Sequence, residues 1–470
     1  MAVTSDTSDS LERTAPSLVA RMNRLPVVTR TQRSWLVLLG ALLLFDMADL
    51  NTFAYAAPAI REQWDLTVGD VGVITSAAFL GMFVGSSVGG WLADRHGRKR
   101  TIIGAVFFYS AFSLASAGAT GMVDLAVYRV LTGVGLQAMV AVLMTYVAEM
   151  YPQYCRGRVQ STGLAVGLAG IPMMAWFARF IIPTGPSAWR WIFVLGAAGV
   201  LVGVVAARRL PESVRWLEAR GRADQARDLV ERLEVEARRT TGRELPIPQE
   251  EPPMVRATTA ELFGPVLRRR TLITSLMLVF LAVGFYGFNS WVPTLLIEHG
   301  LSAEQSLAYT SVLSLAAVPG ALLAWPFIDR WERKYTLWVV ESLVAVGILV
   351  FGFTSSEGIL LASGLLVTLL LQTGTSFVYT YLPENFPTRL RGTGTGFANG
   401  IGRLAGFGSG FLIPAVFSGL GFTAVFIVVA GAMVAMGLTV GVFGERTTNR
   451  SLERISESPR TSAIPAKERA

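Results

Sequence analysis

Two carboxylates stand where carboxylates are costly. Asp46 and Asp49 lie three residues apart inside the apolar run Trp35 to Ala59, a spacing that puts them on one face of a helix. The run is long enough to cross a bilayer, because about 20 apolar residues at ~1.5 Å each cover a ~30 Å hydrocarbon core. An acid at that depth costs on the order of 2.5–3.5 kcal/mol on insertion scales. The chemistry open to it there is to take up and release a proton, or to balance a buried cation. Arg129 and Arg403 are such cations, since both fall inside later apolar runs, and an arginine within a span needs a carboxylate, water or backbone partner.

Depth selects the pairing. Asp49 lies about 14 residues, or ~21 Å, above the inner edge of its run, and Arg129 about 5 residues, or ~8 Å, below the outer edge of its own. In a ~30 Å core these are one level. An Asp49–Arg129 pair is therefore expected, broken when the acid is protonated. Asp46 sits nearer the midplane, as does Arg403, about 11 residues or ~16 Å into its run. A fixed, bidentate guanidinium there suits a substrate carboxylate; a static partner for Asp46 is the alternative. Arg179, near the outer end of its run, either snorkels to the surface or faces inward.

The elements that position these groups are long helices. Of the 470 residues, 52% are hydrophobic and only 16% charged, against about 25% charged in soluble domains. Apolar runs near 35–59, 71–93, 101–119, 124–149, 158–183, 190–208, 271–297, 306–328, 336–354, 358–382, 393–417 and 420–443 predict an all-α integral membrane protein of twelve transmembrane helices, numbered here as spans one to twelve. The formal charge of +8 does not mark a nucleic-acid binder, because the basic residues cluster in loops. Arg95, Arg98, Lys99, Arg100, Arg156, Arg158, Arg330, Arg333, Lys334, Arg389 and Arg391 all fall on one side, which the positive-inside rule makes cytoplasmic, with both termini. The expected organisation is a tail over 1–34, a six-span bundle over 35–208, a loop with surface helices over 209–270, a second bundle over 271–443 and a tail over 444–470. No cleaved leader is expected before Trp35.

The chain repeats itself at half length. Asp94-Arg95 and Asp329-Arg330 are 235 residues apart, as are Glu149 and Glu384 (each followed by a proline and then Arg156-Gly157 or Arg391-Gly392), and Pro58 and Pro293. Two homologous six-span halves follow. Enzymatic readings fall away. Gly85-Ser86-Ser87-Val88-Gly89 fits a nucleophile pattern but lies within an apolar span. Its glycines, with Gly81, make a packing seam instead, as do Gly402, Gly406 and Gly410. With two histidines and the lone Cys155, neither a metal site nor an internal disulfide is expected. No phosphate-binding glycine loop is present, so ATP is not the energy source and no cofactor is expected.

Between spans two and three the chain reads Gly90-Trp-Leu-Ala-Asp94-Arg95-His-Gly97-Arg98-Lys99-Arg100. This matches throughout, and so resembles, the G-x-x-x-D-[RK]-x-G-[RK]-[RK] loop of the major facilitator superfamily. The second copy, at Asp329-Arg330, replaces both glycines. Arg129-x-x-x-Gly133-x-Gly135 is similar to the superfamily's pattern in span four. The resemblance implies a conformational gate built from Gly90, Asp94, Arg95, Gly97, Arg98, Lys99, Glu149, Arg156, Asp329, Arg330, Glu384 and Arg391. It also implies a path lined by spans one, four, seven and ten. On those spans Gln137, Tyr286, Asn289, Trp291, Gln372, Thr375 and Tyr379 are candidates to meet substrate, with helix packing as the alternative for each.

Pro211-Glu212-Ser213-Val-Arg215-Trp216-Leu217 resembles a signature shared by sugar porters and organic-acid symporters. Asp46-Met47-Ala48-Asp49 resembles the D-G-x-D of aromatic-acid:proton symporters, with Met47 at the glycine position, and Thr393 to Arg403 resembles their eleventh span. The resemblance implies a monomeric plasma-membrane carrier for a small organic acid, aromatic in type, moved with protons by alternating access. A proton-coupled sugar or metabolite carrier, or an uncoupled facilitator or exporter, is the alternative.

Overall fold

A computed structural model describes residues 16–248, 258–265, 267–298, 300–328, 330–387 and 389–447. Asp329 of the expected gate, the end of the proline-rich connector and the tail beyond Thr447 lie outside the described residues. Among those described, twelve helices are long and apolar enough to cross a membrane. Spans one to six are Arg30–Trp64, Val68–His96, Arg98–Ala117, Met122–Met150, Gln153–Thr184 and Arg190–Arg209. Spans seven to twelve are Arg268–Asn289, Ala303–Leu323, Arg333–Phe353, Glu357–Glu384, Arg391–Leu420 and Phe422–Phe443.

Local chemistry sets the ends. Thr29 with Gln32 and Thr67 with Asp70 form capping boxes that satisfy the first amides of spans one and two. Asp65, at φ 52°, closes span one in the left-handed conformation. Span seven is shorter than its apolar run. It stops at Asn289, and a separate helix, Val292–Glu298, begins with Pro293 in its first turn, where a missing N–H costs nothing. The repeat-equivalent Pro58 instead stays inside span one.

Glycines let the spans close on each other. A Cβ at Gly81 would overlap the Val130 carbonyl, one at Gly85 the Val134 carbonyl, and one at Gly133 the Ala78 carbonyl, so spans two and four touch backbone to backbone. Gly81→Val should therefore force them apart and remove most folded protein, since overpacking costs about 1–3 kcal/mol even where side chains can yield and here backbone is the obstacle. Gly90→Ala should be silent, because nothing lies within 4 Å of the Cβ it would gain. Monodisperse yield in detergent and thermal melting check both. The Gly402, Gly406 and Gly410 seam joins span eleven to Leu278 of span seven and to Phe79 and Ser76 of span two, so it links the two halves.

The polar ties between halves lie toward the face opposite the described chain ends. Ser76 Oγ donates to the Phe407 carbonyl at 2.8 Å, Arg179 Nη1 reaches Ser311 Oγ at 3.4 Å, and Arg61 pairs with Glu298. Arg179 also lies over Trp176, 5.1 Å from the ring centroid, so it faces inward.

On the basic face, helices Leu18–Asn23, Val214–Ala219 and Ala223–Thr241 pack together. Glu234 is the clasp, accepting from Arg21 Nη2 at 2.9 Å and Arg24 Nη2 at 2.8 Å. Burial alone would raise its carboxyl; the hydrogen bonds from Arg21 and Arg24 outweigh that and hold it below its ordinary value.

Candidate functional site

Asp49 is fully buried in span one. Its Oδ2 accepts from Arg129 Nη1 of span four at 3.3 Å, and the same nitrogen donates to Thr52 Oγ1 at 3.2 Å. Ser113 Oγ of span three hydrogen-bonds Asp49 Oδ1 and also lies 3.1 Å from the Phe193 carbonyl of span six. The Arg129 guanidinium sits 5.9 Å from the Phe193 ring centroid. Gly196 faces Asp49 Oδ1 so closely that a Cβ would overlap it. Four spans thus enclose one ion pair, away from water.

Thr52, Ser113, Phe193 and Gly196 were not among the expected site residues. Ser113 had a signal: Ser110, Ser113 and Ser116 recur at helical spacing inside an apolar span. Gly196 had none that separates it from the packing glycines.

Asp46, one turn away, is buried, and no hydrogen bond to its carboxyl is formed among the described residues. Within electrostatic reach stand Arg403, Asp49 and the hydroxyl of Tyr109. That hydroxyl is buried without a partner and presses against Gly199.

Arg403 lies midway along span eleven. Its Nη1 donates to Tyr286 Oη at 2.7 Å and approaches the Met82 sulfur at 3.6 Å. Phe79 packs edge-on to Tyr286, with centroids 4.4 Å apart, and Tyr379 is within electrostatic reach of the same guanidinium. Tyr379 is 48% exposed. The result is a cation with aromatic rings around it, the composition that suits a flat carboxylate ligand.

The remaining candidates separate. Asn289 and Gln372 line a small central cavity with Asn51, Tyr55, Thr310 and Thr368. Asn289 and Thr375 bond back to the carbonyls four residues earlier, Phe285 at 3.0 Å and Leu371 at 2.7 Å. Gln137 is half-buried. Trp291 is 1% exposed and packed in the apolar core, because span seven ends before it and the turn at Ser290 directs it into the protein.

At the basic loops, Gly97 has φ +103°, and Glu212 fills the space a side chain would need. Glu212 Oε1 accepts from the backbone N–H of Arg98 at 2.8 Å and of Lys99 at 3.0 Å, an anion on a helix N-terminus. Arg98 Nη2 donates to Glu149 Oε1 at 3.0 Å, and Ser213 Oγ to Glu149 Oε2 at 2.5 Å. Arg333 and Glu384, the positions 235 residues on, form the matching pair at 3.3 Å. Arg333 thus takes in the second loop the part that Arg98 has in the first, while Arg330, the counterpart of Arg95, is exposed.

Asp94, 79% exposed at its side chain, pairs with Arg98 at 3.1 Å within its own half rather than with the facing one. Arg95 lies over Trp91, 5.6 Å from the centroid. Arg156 holds the Tyr151 carbonyl at 2.9 Å and Asn23 Oδ1 at 3.0 Å, fastening the N-terminal helix. Gly90 has open space around it, and Arg391 is half-buried at the start of span eleven. Among the described residues, no cluster of three or more metal-ligating side chains is present.

Comparison with known proteins agrees along nearly the whole chain. The putative metabolite transport protein YyaJ of Bacillus subtilis is 35% identical over 438 residues, covering 92% of this chain and 96% of that protein. The niacin transporter NiaP of Acinetobacter baylyi is 29% identical, covering 93% and 99%. The crystal structure of a D-xylose-proton symporter superposes with a TM-score of 0.73 at 18% identity, covering 89% of this chain and 99% of that one. The Major Facilitator Superfamily sequence model matches residues 38–410 and 310–469. With twelve spans, the loop motif between spans two and three and that match, the chain belongs to the Major Facilitator Superfamily.

Proposed function

We propose that this protein is a proton-coupled secondary carrier that takes up a small organic acid, aromatic in type, by alternating access. The observation that carries the reading is the buried Asp49–Arg129 pair with its serine. The Ser113 hydroxyl has one proton and two acceptors, Asp49 Oδ1 and the Phe193 carbonyl. While Asp49 is ionised, the hydroxyl donates to it. Once Asp49 is protonated, the acid donates to Ser113 Oγ and the hydroxyl turns to the carbonyl, so both protonation states stay hydrogen-bonded. Protonation also removes the charge that holds Arg129, which frees span four to move against span one.

The basic face is cytoplasmic in this reading, with both termini, because the arginines of the gate loops cluster there. The ties at Arg61–Glu298, Arg179–Ser311 and Ser76–Phe407 then close the path on the outer side. Substrate meets Arg403, Tyr286 and Tyr379, with Asp46 opposite. Niacin, the cargo named for one relative, is a ring bearing a carboxylate, and it supports this class. The carrier works as a monomer, each chain holding a whole path.

A second reading, proton–sugar symport, is favoured by the backbone likeness to the xylose symporter. Charge separates the two. A potential of 150 mV is worth roughly 3.4 kcal/mol per charge. One proton with one monoanion carries no net charge, so only the pH gradient drives it, whereas one proton with a neutral sugar gains the full potential. Proteoliposomes offered niacin, benzoates and sugars test this. Uptake of an aromatic acid that follows an imposed pH gradient, stops with protonophore and passes no current is expected. Substrate-induced current with sugars, or uptake indifferent to protonophore, overturns the reading.

A further inference from the structure

A third acid lies deep within the spans, away from their ends. Glu341 is in span nine, eight residues from Arg333 and so ~12 Å from the basic end. It is fully buried, and both carboxyl oxygens lack a hydrogen-bond partner. The carboxyl occupies the space that a side chain at Gly374 of span ten would need, so a glycine makes the pocket that holds it.

No ionisable neighbour reaches it. On its own helix Arg333 pairs with Glu384, Lys334 donates to the Val442 and Gly444 carbonyls, and Tyr335 accepts from Arg446. On span ten, Tyr381 donates to the Glu445 carbonyl, Tyr379 is exposed, and Glu357 lies at the opposite end. Span twelve, the other helix packed against span nine, has no ionisable residue.

A carboxylate in such a place would lack both a counter-ion and hydrogen bonds, at a cost of several kcal/mol. The neutral acid is the form the pocket can hold. Span ten also presents Gln372 to the central cavity, two residues from Gly374. It closes on its neighbours through glycines, with Gly320 against Leu369, Gly347 against Val367 and Gly374 against Glu341. A shift of span ten that opens or closes the cavity therefore changes what surrounds the Glu341 carboxyl.

We propose that Glu341 is a second proton-binding site, in the half of the molecule opposite Asp49, loaded in the conformation seen here and discharged when span ten moves. The proposal rests on the proton-coupled reading and extends it to the second half. Two measurements test it. The Glu341 proton is exchanged with the basic side in both directions, so transport stays at one proton per substrate. Substrate exchange should lose one titrating step against pH at the basic face in Glu341→Gln and regain it in Glu341→Asp, with counterflow retained in both. In the unmutated chain, infrared difference spectra should show a protonated-carboxyl stretch that responds to substrate and shifts when glutamate is isotopically labelled. A pH profile of exchange equal to that of the wild type in Glu341→Gln, or a glutamate band unmoved by substrate, overturns the proposal alone. A wild type that moves no protons overturns the coupling reading as well.

Discussion

Asp49→Asn is expected to abolish pH-driven accumulation while leaving counterflow exchange measurable. A one-proton symporter of a monoanion accumulates about tenfold per pH unit, since each tenfold is ~1.4 kcal/mol; the variant should bring substrate only to its outside concentration. Asparagine imitates the protonated acid. Its amide oxygen still accepts from Arg129, and Thr52 continues to hold that arginine. The fold survives because the same neutral arrangement is visited in every cycle. Truncation is different: Asp49→Ala strands a buried guanidinium, at about 3–5 kcal/mol, and should lose folded protein. Radiolabelled uptake against exchange, with yield as control, separates these outcomes. Accumulation in Asp49→Asn equal to that of the wild type would remove the proton site from this residue. Ser113→Ala should be milder, because the second state loses its hydrogen bond while the ion pair remains.

Much of this arrangement can be read from residue order, and the parts that cannot have physical reasons. Depth along a helix is one-dimensional, so Asp49 and Arg129 can be levelled by counting. The half-length repeat is likewise countable, and it returns as the twin pairs Arg98–Glu149 and Arg333–Glu384. Azimuth is another matter. Ser113 stands in a row of serines, but residue order does not say that this row turns toward Asp49, and Gly196 has no pattern that separates it from the packing glycines. The end of span seven is hidden because the apolar run continues past Asn289 to the point where Pro293 restarts the helix. Glu341 is a lone acid within the ninth apolar run, and its repeat-equivalent position is Val106, so the half-length symmetry carries no sign of it.

Arg403→Gln should raise KM for an organic acid by about 10- to 100-fold, with a smaller change in maximal rate. A hydrogen bond to a charged group contributes about 1.5–3 kcal/mol, and ~1.4 kcal/mol is a factor of ten. Lysine should recover only part, being a point charge without the planar fork. Tyr286→Phe should act in the same direction and more weakly, since Tyr286 Oη orients the guanidinium from 2.7 Å. The competing role for Arg403 is to neutralise Asp46, and the double variant decides between them. If the arginine only balances Asp46, Asp46→Asn restores Arg403→Gln to wild-type affinity. If it grips the substrate, the double variant stays as weak as the single one, and the uncharged amide of the same acid, poorly bound by the wild type, loses nothing further in either. Substrate-protection and uptake assays on acid and amide together read this directly, because only a group that touches the carboxylate can tell the two ligands apart.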